Sequence, residues 1–453
     1  MPFKDDFVWG ASTSSYQIEG AATEDGKGKS IWDVFCDKPG VIKDGNTGAV
    51  ACDHYHRYAA DAGLMRQIGL KAYRFSLSWP RIMPNGFDGA VNEKGLDFYD
   101  RLIDSLLENG IDPYITLYHW DMPQEVFACG GWLNPESARW FEKYASVAAA
   151  RFGDRVRNWI TINEPQCAII LGLEDGSHAP GIRLPMPQVL QSGHHLLLAH
   201  GRAVGALREH ASLPLNITIA PVGTIHYPMD ETPKNIDAAR TASFGNWEGK
   251  SCWIPSWFSD PVYLGRYPES GLEFFGSDAP VFTEEEMRII SQPLDTCAIN
   301  FYCGEPVRAT DTPSGWAPAK HPDGHPRTSF DWPVTPTALY WLVKFFHERY
   351  QTPILITENG LSNTDWVDLD GEVKDYPRID FIRRYLRQLK RAADDGLPIN
   401  GYFHWSLMDN FEWAEGYNPR FGLIHVDYQT QKRTLKQSAH FYKEIIASNG
   451  ADL

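Results

Sequence analysis

Pro353-Ile354-Leu355-Ile356-Thr357-Glu358-Asn359-Gly360 is a short apolar run that ends on an acid and then turns. Three apolar residues in a row suit a strand buried on both faces, as in a parallel sheet. Asn359-Gly360 is a turn signal. A carboxylate at the exit of such a strand is held firmly and can face a cleft. A second stretch, Trp159-Ile160-Thr161-Ile162-Asn163-Glu164-Pro165, repeats the form: apolar run, polar residue, Glu, turn. The fold has to account for two strands that each end on an acid.

Six more runs of strand character lie around these two. They are Phe7–Ala11, Ala72–Ser76, Tyr114–Tyr118, Asn216–Ala220, Ala298–Phe301 and Gly401–Trp405. Helical patterns separate them. Tyr55, Tyr58, Ala59, Ala62, Met65 and Ile68 share one helical face, and Gly69 can end that helix. Leu96, Tyr99, Ile103 and Leu106 mark a helix closed by Asn109-Gly110; Trp140, Phe141, Tyr144, Ala148 and Phe152 mark another stopped at Gly153. Further helices are predicted over 188–210, 336–350, 378–395 and 435–448. The stretch 12–20 reads as a polar loop and 21–50 as surface loop. Residues 222–290 are mixed, and 304–334 form a long loop with room for a hairpin.

Eight strands alternating with helices, with no composition break between them, argue for parallel α/β architecture. The expected fold is one (β/α)₈ TIM barrel domain over residues 1–453. A typical barrel uses about 250 residues, so roughly 200 remain for long insertions in the βα-loops. A doubly wound open sheet is the rival. It usually carries a glycine-rich phosphate loop, and the chain has neither G-x-G-x-x-G nor a Walker motif.

Composition narrows the function. The net charge of −16 argues against nucleic acid and anionic membranes as partners. No run of about 18 apolar residues would cross a bilayer. The seven cysteines are scattered, odd in number and without zinc spacing. Reduced thiols, and a start at Met1–Phe7 without an apolar signal core, fit a cytoplasmic protein. No metal and no cofactor is expected. Aromatic residues make up 13% of the chain. Most serve a large core, but aromatic faces also pack against the C–H faces of sugars.

In a barrel the C-terminal strand ends converge on one face. Here those ends carry Gln17, Arg74, His119 with Trp120, Asn163 with Glu164, Asn300 with Tyr302, Glu358, and His404 with Trp405. Each alone has an ordinary structural explanation: a core histidine, a neutralising arginine, a packed tryptophan. The set together suits glycoside hydrolysis. One Glu protonates the leaving oxygen while the other attacks the anomeric carbon, with carboxyls about 5–5.5 Å apart in retaining enzymes. An Arg and a Tyr hydroxyl beside one Glu keep it ionised, and its charge keeps the other protonated. The sequence alone leaves open which Glu is which.

These stretches resemble β-glucosidases of glycoside hydrolase family 1. The similarity runs from Phe7-Val8-Trp9-Gly10 to about Tyr442. It is carried by Ser15–Gly20, Arg74–Trp79, Tyr118–Pro123, Thr161–Pro165, Thr357–Gly360 and Trp405-Ser406-Leu407-Met408-Asp409-Asn410-Phe411-Glu412-Trp413. The resemblance implies that Glu164 is the acid/base and Glu358 the nucleophile, supported by Arg74, Tyr302 and Asn300. It implies that Gln17, His119, Trp120, Asn163, Glu412, Trp413 and Phe421 hold the terminal sugar and that Trp405 is its stacking platform. Cys167, Leu173, His178 and Trp332 would line the aglycone entrance. Phosphoglycosidases of the family replace the acid at the Glu412 position, and plant myrosinases lose the acid/base; this chain keeps both acids. Phe301 and Pro333 depart from the common residues at their positions. The implied partner is a small β-glucoside or cello-oligosaccharide, with side activity on β-galactosides or β-fucosides. Transglycosylation or 6-phospho-β-glucoside cleavage on the same site is the alternative. The chain carries no signal for oligomeric state.

Overall fold

The computed structural model describes residues 2–87, 90–222, 225–247 and 252–453. Eight parallel strands form the centre: β1 Val8–Ser12, β2 Ala72–Ser76, β3 Asp112–Tyr118, β4 Asn158–Asn163, β5 Asn216–Ala220, β6 Cys297–Asn300, β7 Ile354–Asn359 and β8 Ile399–Trp405. Their spatial order is β5-β4-β3-β2-β1-β8-β7-β6. Gly10 pairs with Ala72, Val8 with Gly401, Ile160 with Thr218 and Glu358 with Asn300. The seam between β5 and β6 is closed mainly through one side chain. The Thr218 hydroxyl donates to the Thr296 carbonyl at 2.8 Å and accepts from the Ala298 amide at 3.2 Å. Higher up, the Asn300 amide donates to the Pro221 carbonyl at 3.0 Å. The result is a TIM barrel.

The barrel interior is filled rather than open. Ala72, Tyr114, Ile160, Ala220, Ala298, Leu355 and Phe403, one from each of seven strands, form an apolar plug with Val8 against it. Small residues face large ones, as the taper requires: a Cβ on Gly10 would lie 2.4 Å from the Phe403 ring. A much larger apolar cluster fills the space between the strands and the surrounding helices. Those helices include His54–Ile68, Glu93–Glu108, Ser137–Phe152, Met186–His210, Pro336–Tyr350, Tyr376–Asp394 and Gln437–Ala447. Gly69 ends the first of them in the left-handed conformation at φ 83°. On that helix Tyr55, Ala62, Met65 and Ile68 are buried as expected, whereas Ala59 is exposed.

The insertions depart from the sequence reading over 21–50 and 12–20. Residues 21–50 are not all surface loop. Ser30 and Asp33 form a capping box that starts a helix over Ile31–Cys36, and this helix buries Trp32 completely. The 12–20 loop holds a single helical turn, Ser15–Ile18. In the 304–334 stretch, Gly304–Ala309 and Trp316–Pro318 do form a hairpin, and Ile225–Pro228 adds a third, parallel strand to it. The mixed stretch 222–290 contains the helices Pro233–Gly245, Pro255–Tyr263, Glu269–Phe275 and Glu284–Ile290. Its residues 223, 224 and 248–251 lie outside the described residues. Among the described residues no helix is long and apolar enough to cross a membrane.

Candidate active site

The site is built from the strand ends. Arg74, on β2, is fully buried and makes four bonds that tie four strands together. Its Nε donates to Thr116 Oγ1 at 3.1 Å and its Nη2 to Asn163 Oδ1 at 2.5 Å; Nη1 reaches the Thr357 carbonyl at 3.3 Å and Glu358 Oε1 at 2.5 Å. The Tyr302 hydroxyl donates to the other oxygen of Glu358 at 2.7 Å. Glu358 is thus held by a cation on one side and a phenol on the other.

Glu164 has a different environment. Asn300 Nδ2 donates to its Oε1 at 2.8 Å, and the Cys167 thiol donates to its Oε2 at 3.2 Å. The same Asn300 amide reaches Asn163 Oδ1 at 2.9 Å, and Thr357 Oγ1 donates to Asn300 Oδ1 at 2.7 Å. No cation bonds Glu164 directly among the described residues. Burial, reinforced by the charge of Glu358, pushes its pKa up to about 8. Burial also raises Glu358, but the Arg74 guanidinium and the Tyr302 hydroxyl pull against it. Of the two, Glu358 is the one built to carry the charge. Burial drives the Tyr302 hydroxyl well above its ordinary range, so it remains a donor.

The cleft above these acids has a volume of about 450 Å³. Glu164, Glu358, His119, Trp120, Tyr302, Cys167, His178, Trp332, Trp405, Glu412, Trp413 and Phe421 all line it. Asn163, Asn300, Gln17 and Arg74 lie immediately behind the lining and bond to it. Gln17 Nε2 donates to the Phe411 carbonyl at 2.9 Å, to Asn410 Oδ1 at 3.0 Å and to Glu412 Oε2 at 3.5 Å. Asn163 Nδ2 lies 3.1 Å from His119 Nε2, and Trp120 Nε1 donates to the Asn163 carbonyl at 3.0 Å. Burial and Arg74 hold His119 well below the ordinary histidine pKa, so its ring is neutral. Burial, then the charges of Glu358 and Glu164, raise Glu412 to about 8.

Aromatic rings make the walls. His119 stacks against Trp405 and Trp413 at 6.0 and 5.9 Å between centroids. Trp413 leans on Trp120 at 4.6 Å, and Trp32 and Tyr16 back it at 4.5 and 6.2 Å. Opposite, Tyr302, Phe421, Phe330 and Trp332 form a second cluster. Three wall residues hold left-handed backbone that non-glycine residues seldom adopt: Glu164 at φ 42°, Trp120 at 74° and Trp413 at 48°. Gly360 is required for space rather than for φ. A Cβ there would lie 1.8 Å from the Trp405 carbonyl oxygen.

One expected entrance residue is elsewhere. Leu173 lines a separate cavity, and Leu171 stands on the cleft instead. Both lie on the wide helix Cys167–Glu174. Residues 167 and 171 share one face there, and residue 173 falls on the opposite one. His404 is also turned away, buried near Tyr442 behind β8. Trp253, Phe330 and Cys303 line the cleft without having been singled out in the sequence. Phe330 had a weak signal, an aromatic pair with Trp332 at i, i+2 in a polar loop. Trp253 and Cys303 had none. No group of three His, Cys, Asp or Glu side chains among the described residues is placed to hold a metal ion.

Comparison with known proteins agrees with this geometry. The family model for glycosyl hydrolase family 1 matches residues 1–451. The chain is 45% identical over 455 aligned positions to beta-glucosidase A of Acetivibrio thermocellus, covering 99% of both chains. It is 44% identical to the 1,4-beta-D-glucan glucohydrolase of Thermotoga neapolitana, again with 99% of each covered. A solved beta-glucosidase of Thermotoga maritima, in complex with glucoimidazole, superposes with a TM-score of 0.90 at 43% identity over 99% of each chain. The chain therefore belongs to glycosyl hydrolase family 1.

Proposed function

We propose that this chain is a retaining exo-β-glucosidase, with Glu358 as nucleophile and Glu164 as acid/base. The observation that carries the assignment is the asymmetry of the two carboxyls. Arg74 and Tyr302 bond Glu358 and not Glu164. In the first step Glu358 forms a bond to the anomeric carbon as the glycosidic C–O bond breaks, and Glu164 gives its proton to the departing oxygen. Forming the ester removes the Glu358 charge that had kept Glu164 protonated. Glu164 then takes a proton from water, which attacks the anomeric carbon and releases β-glucose and free Glu358.

On this reading Asn163 bonds the 2-hydroxyl and Glu412 accepts from the 4- and 6-hydroxyls, with His119 and Gln17 completing the set. Sugar hydroxyls donating to Glu412 favour its ionised form and draw its pKa down again. Trp405 and Trp413 offer faces for stacking. Cellobiose, cello-oligosaccharides and aryl or alkyl β-glucosides are the proposed substrates, with β-galactosides and β-fucosides as weaker ones. A 6-phosphorylated sugar fits poorly, because among the described residues no Lys or Arg lines the cleft and four Glu do. The free cysteines suit a reducing, cytoplasmic setting.

The test is Glu358→Gly assayed on an aryl β-glucoside, with NMR of the first sugar that the unmodified enzyme releases. Turnover should vanish in the variant and the β-anomer should appear first. Near-normal turnover or a first-formed α-anomer overturns the assignment. Cellobiose, lactose and cellobiose 6-phosphate compared as substrates separate the sugar preferences.

A further inference from the structure

A second cavity lies beside the cleft, on the far side of the helix Cys167–Glu174, and nothing in the mechanism uses it. Its volume is about 250 Å³. For comparison, an apolar cavity of about 150 Å³ is enough to hold benzene. Among the described residues no charged one lines it. Its walls include the rings of Tyr118, Phe127 and Trp132, with Leu173 between it and the cleft side. Ala128 and Gly130 on its rim are exposed residues, so the cavity has a mouth at the surface.

One polar atom in the wall is unaccounted for. Ser192, on the long helix Met186–His210, is completely buried, and its Oγ has no hydrogen-bond partner among the described residues. A buried hydroxyl left unpaired is costly, so a ligand that bonds it gains affinity. The Tyr118 hydroxyl, also on the wall, is already engaged, accepting from Trp132 Nε1 at 3.4 Å.

We infer that this cavity is a binding site, separate from the catalytic cleft, for a small uncharged aryl alcohol of the phenol class, whose ring packs on Tyr118, Phe127 and Trp132 and whose hydroxyl bonds Ser192 Oγ. The absence of charge in the wall selects a neutral ligand. The three rings favour an aromatic one, and ring pairs of this kind add to simple area burial. The single free hydroxyl calls for one hydrogen-bonding group. The site is independent of the proposed hydrolysis, since no residue named for that reaction except Leu173 touches it.

Phenol itself is the probe. Its binding is measured by calorimetry on the full chain, with and without saturating deoxynojirimycin in the catalytic cleft. Saturable binding that persists with the cleft blocked is expected. Ala128→Trp, which fills the mouth from an exposed position, should abolish that binding. Ser192→Ala should weaken it several-fold while cyclohexane or benzene binding is kept. Both variants should keep wild-type circular dichroism and turnover. Binding that deoxynojirimycin fully displaces, binding untouched by Ala128→Trp in a folded protein, or no saturable binding up to the solubility of phenol would each overturn the inference. Equal loss of phenol and benzene affinity in Ser192→Ala would refute the assigned role of its hydroxyl.

Discussion

Replacing Tyr302 with Phe removes a single oxygen from the site. That oxygen lies 2.7 Å from Glu358 Oε2 and donates to it. A hydrogen bond to a charged group is worth about 1.5–3 kcal/mol. One pKa unit corresponds to about 1.4 kcal/mol. The hydroxyl stabilises the carboxylate and not the neutral acid, so its loss raises the pKa of Glu358, by about one to two units. Glu358 must be ionised to attack, and the acid limb of kcat/KM reports its ionisation in the free enzyme. In Tyr302→Phe that limb should therefore move to higher pH by about one to two units. The basic limb reports Glu164 and should stay near its place, so the bell narrows from the acid side. Arg74 still holds the other oxygen, and the Tyr302 carbonyl still accepts from Tyr385, so the fold should survive. The assay is kcat/KM for an aryl β-glucoside from pH 4 to about 10. An acid limb that stays put, or moves down, refutes the assignment of Glu358 as the charged partner.

Three further outcomes follow from the same geometry. With Glu164 raised to about 8, the protonated form that the first step needs is lost as pH rises through that value. Wild-type kcat/KM should fall on the alkaline side near pH 8, which the same pH series reads. Glu164→Gln should lower turnover of cellobiose by about 10²–10⁴-fold, the usual worth of general acid catalysis. Formation of the glycosyl-enzyme from a dinitrophenyl glucoside, whose leaving group needs no proton, should suffer much less, as a pre-steady-state burst would show. Asp409→Asn should cost about 3–5 kcal/mol of stability by stripping buried Lys436 and partly buried Arg420 of a counter-charge, measured by urea unfolding.

The fold was legible because the barrel strands state themselves. β2 and β5 have the same limits in sequence and structure, and the other barrel strands shift at their ends by one to three residues. Apolar runs buried on two faces leave little choice of pattern. The insertions were less legible because their order comes from distant partners. Residues 31–36 look like loop by composition, yet Trp32 packs against His178 and against Trp413, nearly four hundred positions away. The strand Ile225–Pro228 has no alternation to announce it and exists because Gly304–Ala309 pairs with it. Leu173 was expected at the entrance by resemblance alone; on its helix it faces away from Cys167 and Leu171 and so lines the neighbouring cavity.

The back of the sugar site shows what residue type alone cannot reveal. Asp409 sits in the stretch from Trp405 to Trp413 without touching the cleft. Its Oδ1 accepts from Lys436 Nζ at 2.6 Å and from the Gly422 amide at 3.0 Å, while Oδ2 accepts from Arg420 at 2.6 Å. Lys436 also bonds Asp365, and Arg378 bonds Asp365 and Asp375. Three acids and three bases thus form one network, all but Arg420 buried. A Cβ on Gly422 would lie 2.1 Å from the Asp409 amide nitrogen, so the two ends of this loop are pressed backbone to backbone. Trp405, Glu412, Trp413 and Phe421 all hang from the span that this clasp fixes. Buried ion pairs add little net stability over apolar packing, so stability is a poor reason for six charges here. Positioning is a better one: four side chains that must meet a single sugar are carried on a loop, and the network gives that loop the rigidity of a strand.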